Sequence, residues 1–145
     1  MGWVKRLAGK SIALDTAPLI YFVEENPHFL THVQPFFQAL EQGEFTAMTS
    51  TLTITETLVK PFQLGQIDLA DIFRAVLAEY VEIVPVTAEI AEAAARLRAD
   101  HNLRTPDAIQ VATAITHQAD FFLTNDVRLG RLRQLETLVL SDLKD

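Results

Sequence analysis

Cysteine is absent from this chain of 145 residues, so neither a disulfide nor a thiolate zinc site holds it together, and nothing points to an oxidising compartment. No apolar run approaches the roughly 20 residues that a membrane helix needs, and no membrane is expected as a partner. The segment MGWVKRLAGKSIALDT places basic residues ahead of an apolar stretch, but Asp15 and Pro18 interrupt it and no small-residue cleavage site follows. A signal peptide is therefore not expected, and Arg6 stands where myristoylation needs Ser or Thr. The expected location is cytoplasmic. The stretch HFLTH carries His28 and His32 four apart without the glutamate of H-E-x-x-H, so zinc is not expected either. A basic surplus is missing as well, the formal charge being −7 at pH 7. A protein that grips nucleic acid by charge alone normally has the opposite sign. Either nucleic acid is no partner, or the acids cluster where cations neutralise them.

What the chain does have is apolar residues, 49% of the total. At this length one domain over 1–145 is expected, burying roughly 70% of the surface of its unfolded chain. The high apolar share also suggests surface covered by a second copy or another protein. Short β-branched runs alternate with longer segments of helical period, the pattern of an α/β fold with a mainly parallel sheet. Strands are expected in SIALD, FTAMTS, VEIVPV, FFLTND and TLVLS. Helices are expected over 18–25, over 29–41 with a kink or restart at Pro35, and over 51–62, where Thr53 and Glu56 have capping-box spacing. IDLADIFRAVLAEY reads as a helix opened by Asp68 and Asp71, with Ile67, Ala70, Phe73 and Leu77 on its packing face. TAEIAEAAARLRADHN reads as another, capped by Thr87. In LRTPDAIQVATAI, Thr105 suits the N-cap and Pro106 the first helical position, which leaves Asp107 in the first turn.

Taken alone, Asp107 is an ordinary stabilising charge at a helix start. Its distant companions change that reading. Asp15 stands at the end of the first strand, Asp126 just past the fourth, and Glu56 on the helix after the second. In open parallel sheets the carboxyl ends of strands border the ligand crevice. Four acids from four places are thus positioned to meet at one sheet edge. Neighbouring carboxylates repel and raise one another's pKa unless a cation lies among them. A hard divalent ion with oxygen ligands suits such a group.

Asp15 in IALDTAPLIYF, Glu56 in TITETL, Asp107 in TPDAIQVATAI and Asp126 in FLTNDVRL together resemble the PIN domain, in particular the VapC-like toxin ribonucleases of toxin–antitoxin pairs. The resemblance spans residues 11–140, and its most specific part is the pairing of TPDAIQVATA with FLTND. It implies a three-layer α/β/α sandwich, with the four acids binding Mg²⁺ or Mn²⁺ and cutting an RNA substrate. It also implies an antitoxin protein as a possible partner, and a homodimer is expected. Thr16, Thr124, Asn125, Arg104 and Arg128 become candidates for supporting the acids or touching substrate. Arg128, Arg131 and Arg133 read either as a phosphate-binding edge or as a solvated face. A phosphatase of the haloacid-dehalogenase type is disfavoured, because Ala17 stands where its second aspartate belongs. A noncatalytic binding scaffold, and a metal-dependent nuclease in RNA processing or acting on DNA, remain the competing readings.

Overall fold

The computed structural model describes residues 2–144; the two ends of the expected 1–145 domain lie outside the described residues. Five strands, β1 (Ser11–Leu14), β2 (Thr46–Ser50), β3 (Glu82–Val84), β4 (Phe121–Thr124) and β5 (Thr137–Val139), form one sheet in the order β3-β2-β1-β4-β5. Every pairing is parallel, more uniform than the mainly parallel sheet expected. Six helices pack around it: α1 (Thr16–Val23), α2 (Leu30–Glu41), α3 (Leu52–Gln63), α4 (Ile67–Tyr80), α5 (Ala88–His101) and α6 (Thr105–Thr116).

Side-chain alternation along the strands makes the three layers. Ile12, Leu14, Ala47, Phe121 and Leu123 join a core with Phe36, Phe37 and Leu77 of α2 and α4. Their neighbours Ala13, Met48 and Phe122 join the opposite core, with Ile90, Leu97, Ala108 and Val111 of α5 and α6. Both faces of the sheet are covered, which is why β1 and β4 read as nearly unbroken apolar runs.

Several boundaries differ from expectation for local reasons. Helix α1 begins at Thr16, two residues early, because Asp15 adopts an extended cap whose carboxylate accepts the Thr16 amide at 2.8 Å. Pro35 neither ends nor restarts α2. It forgoes only a bond to the carbonyl of Thr31, an exposed residue that water reaches. The capping box in α3 does not form, since Thr53 is wholly buried inside the helix and bonds Thr49 and Gln110 instead. Thr105 is the first residue of α6 and Arg104 its cap, and the Thr105 hydroxyl accepts from Arg98. Thr87 caps α5 as expected, accepting the Ile90 amide at 3.2 Å. On α4, Ala70, Phe73 and Leu77 are buried, but Ile67 lies 70% exposed because it opens the helix beyond the core.

One ionic staple joins the sheet's two central strands. Asp120, just before β4, accepts from the Ser11 amide at 2.8 Å and from the Ser11 hydroxyl at 3.2 Å. The Ser11 amide holds this carboxyl below its ordinary range. A depressed folded pKa means stability that is present above the unfolded value near 3.9 and lost as pH falls through the folded value. Asp120→Asn is therefore expected to melt slightly below the unaltered protein at pH 7, with the gap narrowing below about pH 3.9. Melting curves across that range check it. A gap constant with pH would show that the charge is not the cause.

Candidate active site

The strand order reverses at β1: the chain steps from β1 to β2 and β3 on one side, then returns to place β4 on the other. Such switch points open a crevice at the carboxyl ends of the two central strands. Asp15 directly follows β1 and Asp126 follows β4. A cavity of about 600 Å³ opens here, and Asp15, Glu56, Asp107 and Asp126 all line it. The four acids expected at one sheet edge thus border one cavity.

Each acid is held by a short local device. The Asp15 carboxylate accepts the Thr16 amide on one oxygen and, at 2.7 Å, the Thr124 hydroxyl on the other. Thr124, fully buried at the end of β4, also accepts the Asp126 amide at 3.1 Å, so one hydroxyl sets the spacing of two acids. Glu56 reaches across from α3 to accept the Thr16 hydroxyl at 2.5 Å. Asp107, in the first turn of α6, is buried with 11% of its side chain exposed. Its carboxylate accepts from Arg104 Nε at 3.2 Å and lies 3.8 Å from Arg128 Nη2. Arg128 grips Asp126 with two nitrogens, at 2.6 and 3.0 Å.

The electrostatics divide the acids. Burial pushes the Asp15 carboxyl up, and the charges of Asp107 and Glu56 add to this, against the Thr124 and Thr16 hydrogen bonds. Asp126 moves the other way because Arg128 bonds its carboxylate. The same pairing raises the Arg128 guanidinium above its ordinary value. Asp15 thus lacks compensating positive charge, whereas Asp126 has it from within the chain.

The donor set, oxygen atoms alone from carboxylates and hydroxyls, fits a hard divalent cation. As the side chains are placed, no three acid or histidine groups among the described residues close on a common point. Arg128 explains the spacing, since it engages Asp126 and lies beside Asp107. An ion using those two acids competes with this arginine. Asn125 lines the cavity, but its side chain is occupied elsewhere, donating to the Tyr21 hydroxyl at 3.1 Å and accepting the Ser141 amide at 3.0 Å. It ties down the loop between β4 and β5. His28 and His32 stay apart from the site, and His32 Nε2 instead lies 3.1 Å from the Leu143 carbonyl.

Sequence reasoning missed what lies beneath the acids. Thr49, Ser50, Thr53 and Gln110 are buried in one polar network. The Gln110 amide donates to Thr53 at 2.9 Å and Thr16 at 3.3 Å, and its oxygen accepts from Ser50 at 2.9 Å. Thr49 bonds Thr53 at 2.6 Å and donates to the Leu14 carbonyl at 2.9 Å. One signal was available: a glutamine at the sixth position of α6, within the apolar and small-residue stretch AIQVATAI, needs buried partners.

A three-layer α/β/α protein with an acidic crevice at its switch point is the class these features define. The sequence profile of the PIN domain matches residues 12–135, and the chain belongs to that family. No curated protein matches it in sequence. Among solved structures, VapBC2 from Rickettsia felis bound to a DNA fragment from its promoter is similar, with a TM-score of 0.73 at 16% identity, covering 89% of this chain and 98% of that one. A toxin–antitoxin complex from Klebsiella pneumoniae gives 0.67 at 23% identity, over 89% and 97%. FitAcB from Neisseria gonorrhoeae gives 0.63 at 19%, over 91% and 99%. These likenesses show the shared fold.

Proposed function

We propose that this chain is a single-domain, divalent-metal-dependent endoribonuclease, the toxin of a toxin–antitoxin pair, working in the cytoplasm. The observation that carries the reading is the meeting of Asp15, Glu56, Asp107 and Asp126 in one cavity of a PIN-family fold. Asp15 is the central ligand: burial and the neighbouring carboxylates push it toward protonation, and a bound cation would relieve both. Glu56, Asp107 and Asp126 complete the set, with Thr16 and Thr124 fixing carboxylate orientation. Mg²⁺ or Mn²⁺ held by these residues would lower the pKa of the attacking water and would offset charge on the departing ribose oxygen. A cation held by these acids would offset the negative charge of the crevice, so that the strand is no longer repelled there. The overall reaction adds water across one P–O bond of the backbone.

An antitoxin is the proposed partner because the K. pneumoniae neighbour is a toxin–antitoxin complex. Helices α3 and α4 and the turn between them also leave Phe62, Leu64, Ile67 and Ile72 exposed, an apolar face that a partner or a second copy in a homodimer would cover.

Cleavage of labelled single-stranded RNA and DNA, with Mn²⁺, Mg²⁺ or EDTA, tests the activity. RNA is expected to be cut with either metal, DNA to survive, and EDTA to stop the reaction. Cutting in EDTA would remove the metal from the reading, and preferential loss of DNA would remove RNA. The noncatalytic scaffold is separated by melting: Mn²⁺ at ten times its Kd is expected to add about 1.4 kcal/mol to stability. An unmoved melting curve together with intact RNA favours the scaffold.

A further inference from the structure

The crevice does not end at Asp107. Beyond Arg104 and Arg128 a second cavity of about 350 Å³ opens between the end of α5, the start of α6 and the turn over Val127–Arg131. His101, Asn102, Arg104, Arg128 and Arg131 line it, and Asp107 is its only carboxylate. In a chain of net charge −7, three arginines around one hollow stand against the background. Arg131 makes no ion pair among the described residues. Arg104 gives Asp107 only its Nε, so both terminal nitrogens of its guanidinium stay without a carboxylate partner, and 69% of the side chain is exposed.

We propose that this cavity is a subsite for a backbone phosphate of the substrate strand, next along from the phosphate that is cut. The proposal rests on the nuclease reading and deepens it. Arg104 and Asp107 line both cavities, so the basic hollow continues directly from the acidic crevice. A linear polyanion laid through the crevice leaves one phosphate at the acids and another beside the arginines. Guanidinium groups suit this task because their donors match phosphate oxygens in pairs. The arrangement also explains how an acidic protein retains a polyanion. Arg131 is free to bind, while Arg104 and Arg128 form the wall shared with the acids and gain phosphate contacts when a metal takes over Asp107 and Asp126.

The test uses Arg131→Gln, an exposed position outside the proposed metal set. Initial rates with Mn²⁺ and an RNA oligonucleotide are expected to show KM raised about five- to tenfold with kcat unchanged. Anisotropy in the Asp15→Asn background, where cleavage is expected to be slow enough for the strand to stay intact, is expected to show the same weakening on adding Arg131→Gln and a salt slope shallower by about 0.7 to 1. A dinucleotide with a single phosphate is expected to show no effect, because it fills the acidic crevice alone. Arg131→Lys is expected to restore the salt slope but only part of the affinity, since an ammonium keeps the charge without the paired donors. Equal weakening of the dinucleotide, or an unchanged salt slope, would overturn the subsite. Inorganic phosphate that binds as tightly as the oligonucleotide, and with the same sensitivity to Arg131→Gln, would replace the strand with a free anion. If the unaltered protein neither binds nor cuts RNA, the nuclease reading falls. If it does both and Arg131→Gln changes neither, only the subsite falls.

Discussion

Replacing Asp15 with asparagine is expected to lower metal-supported RNA cleavage roughly 10³-fold while raising the melting temperature of the metal-free protein. The two effects share one cause. Burial, then the nearby carboxylates, disfavour the ionised form of Asp15 in the folded state. For an acid whose folded pKa is raised, stability falls as pH climbs from the unfolded value near 3.9 through the folded one, and the loss persists at pH 7. Removing the charge lifts that penalty. Asparagine keeps an oxygen for the Thr16 amide, so the start of α1 is retained. With Mn²⁺ present the order reverses, because only the carboxylate gains from the cation. Paired melts in EDTA and Mn²⁺, alongside initial rates, measure both effects. Asp15→Asn cutting as fast as the unaltered protein, or melting lower in EDTA, would remove Asp15 from the centre of the site.

Gln110→Leu is expected to damage stability and site together. The substitution nearly preserves volume but leaves the Ser50 hydroxyl without its acceptor and removes a donor from Thr53 and Thr16. A buried group left without its partner costs about 1–3 kcal/mol, and a domain of this size loses roughly 2–4 °C per kcal/mol. Thr16 in turn donates to Glu56, so the glutamate loses its fixed position. Groups that orient metal-binding carboxylates typically matter 10–100-fold in metal affinity or activity, and a loss in that range is expected here. Thermal melts and a Mn²⁺ titration separate the two. A drop in melting temperature with unchanged Mn²⁺ affinity would confine Gln110 to a structural part.

Much of this architecture was legible because it is local. The short apolar runs at β1 and β4, the Thr87 cap and the carboxylate in the first turn of α6 each follow from a few adjacent residues. The short 3-10 turns over Trp3–Leu7, Val127–Arg131 and Leu140–Asp142 carry no comparable period and went unread. Thr53 was misread because threonine three residues before glutamate looks alike at a helix start and inside a helix with a buried partner. Ile67 fitted the apolar spacing of α4, but periodicity does not say where the neighbouring layer stops.

The sequence by itself determined the alternation of strand and helix, and the placing of Asp15 and Asp126 after strand ends, Asp107 in a first helical turn and Glu56 on the helix after β2. Only the tertiary structure decided that these acids share one cavity, that Arg128 sits against two of them, and that Gln110 binds the floor beneath. The physical reason is range. Local preferences act over one or two turns of chain, whereas the Thr124–Asp15 hydrogen bond joins residues 109 apart and exists only once β1 and β4 are paired.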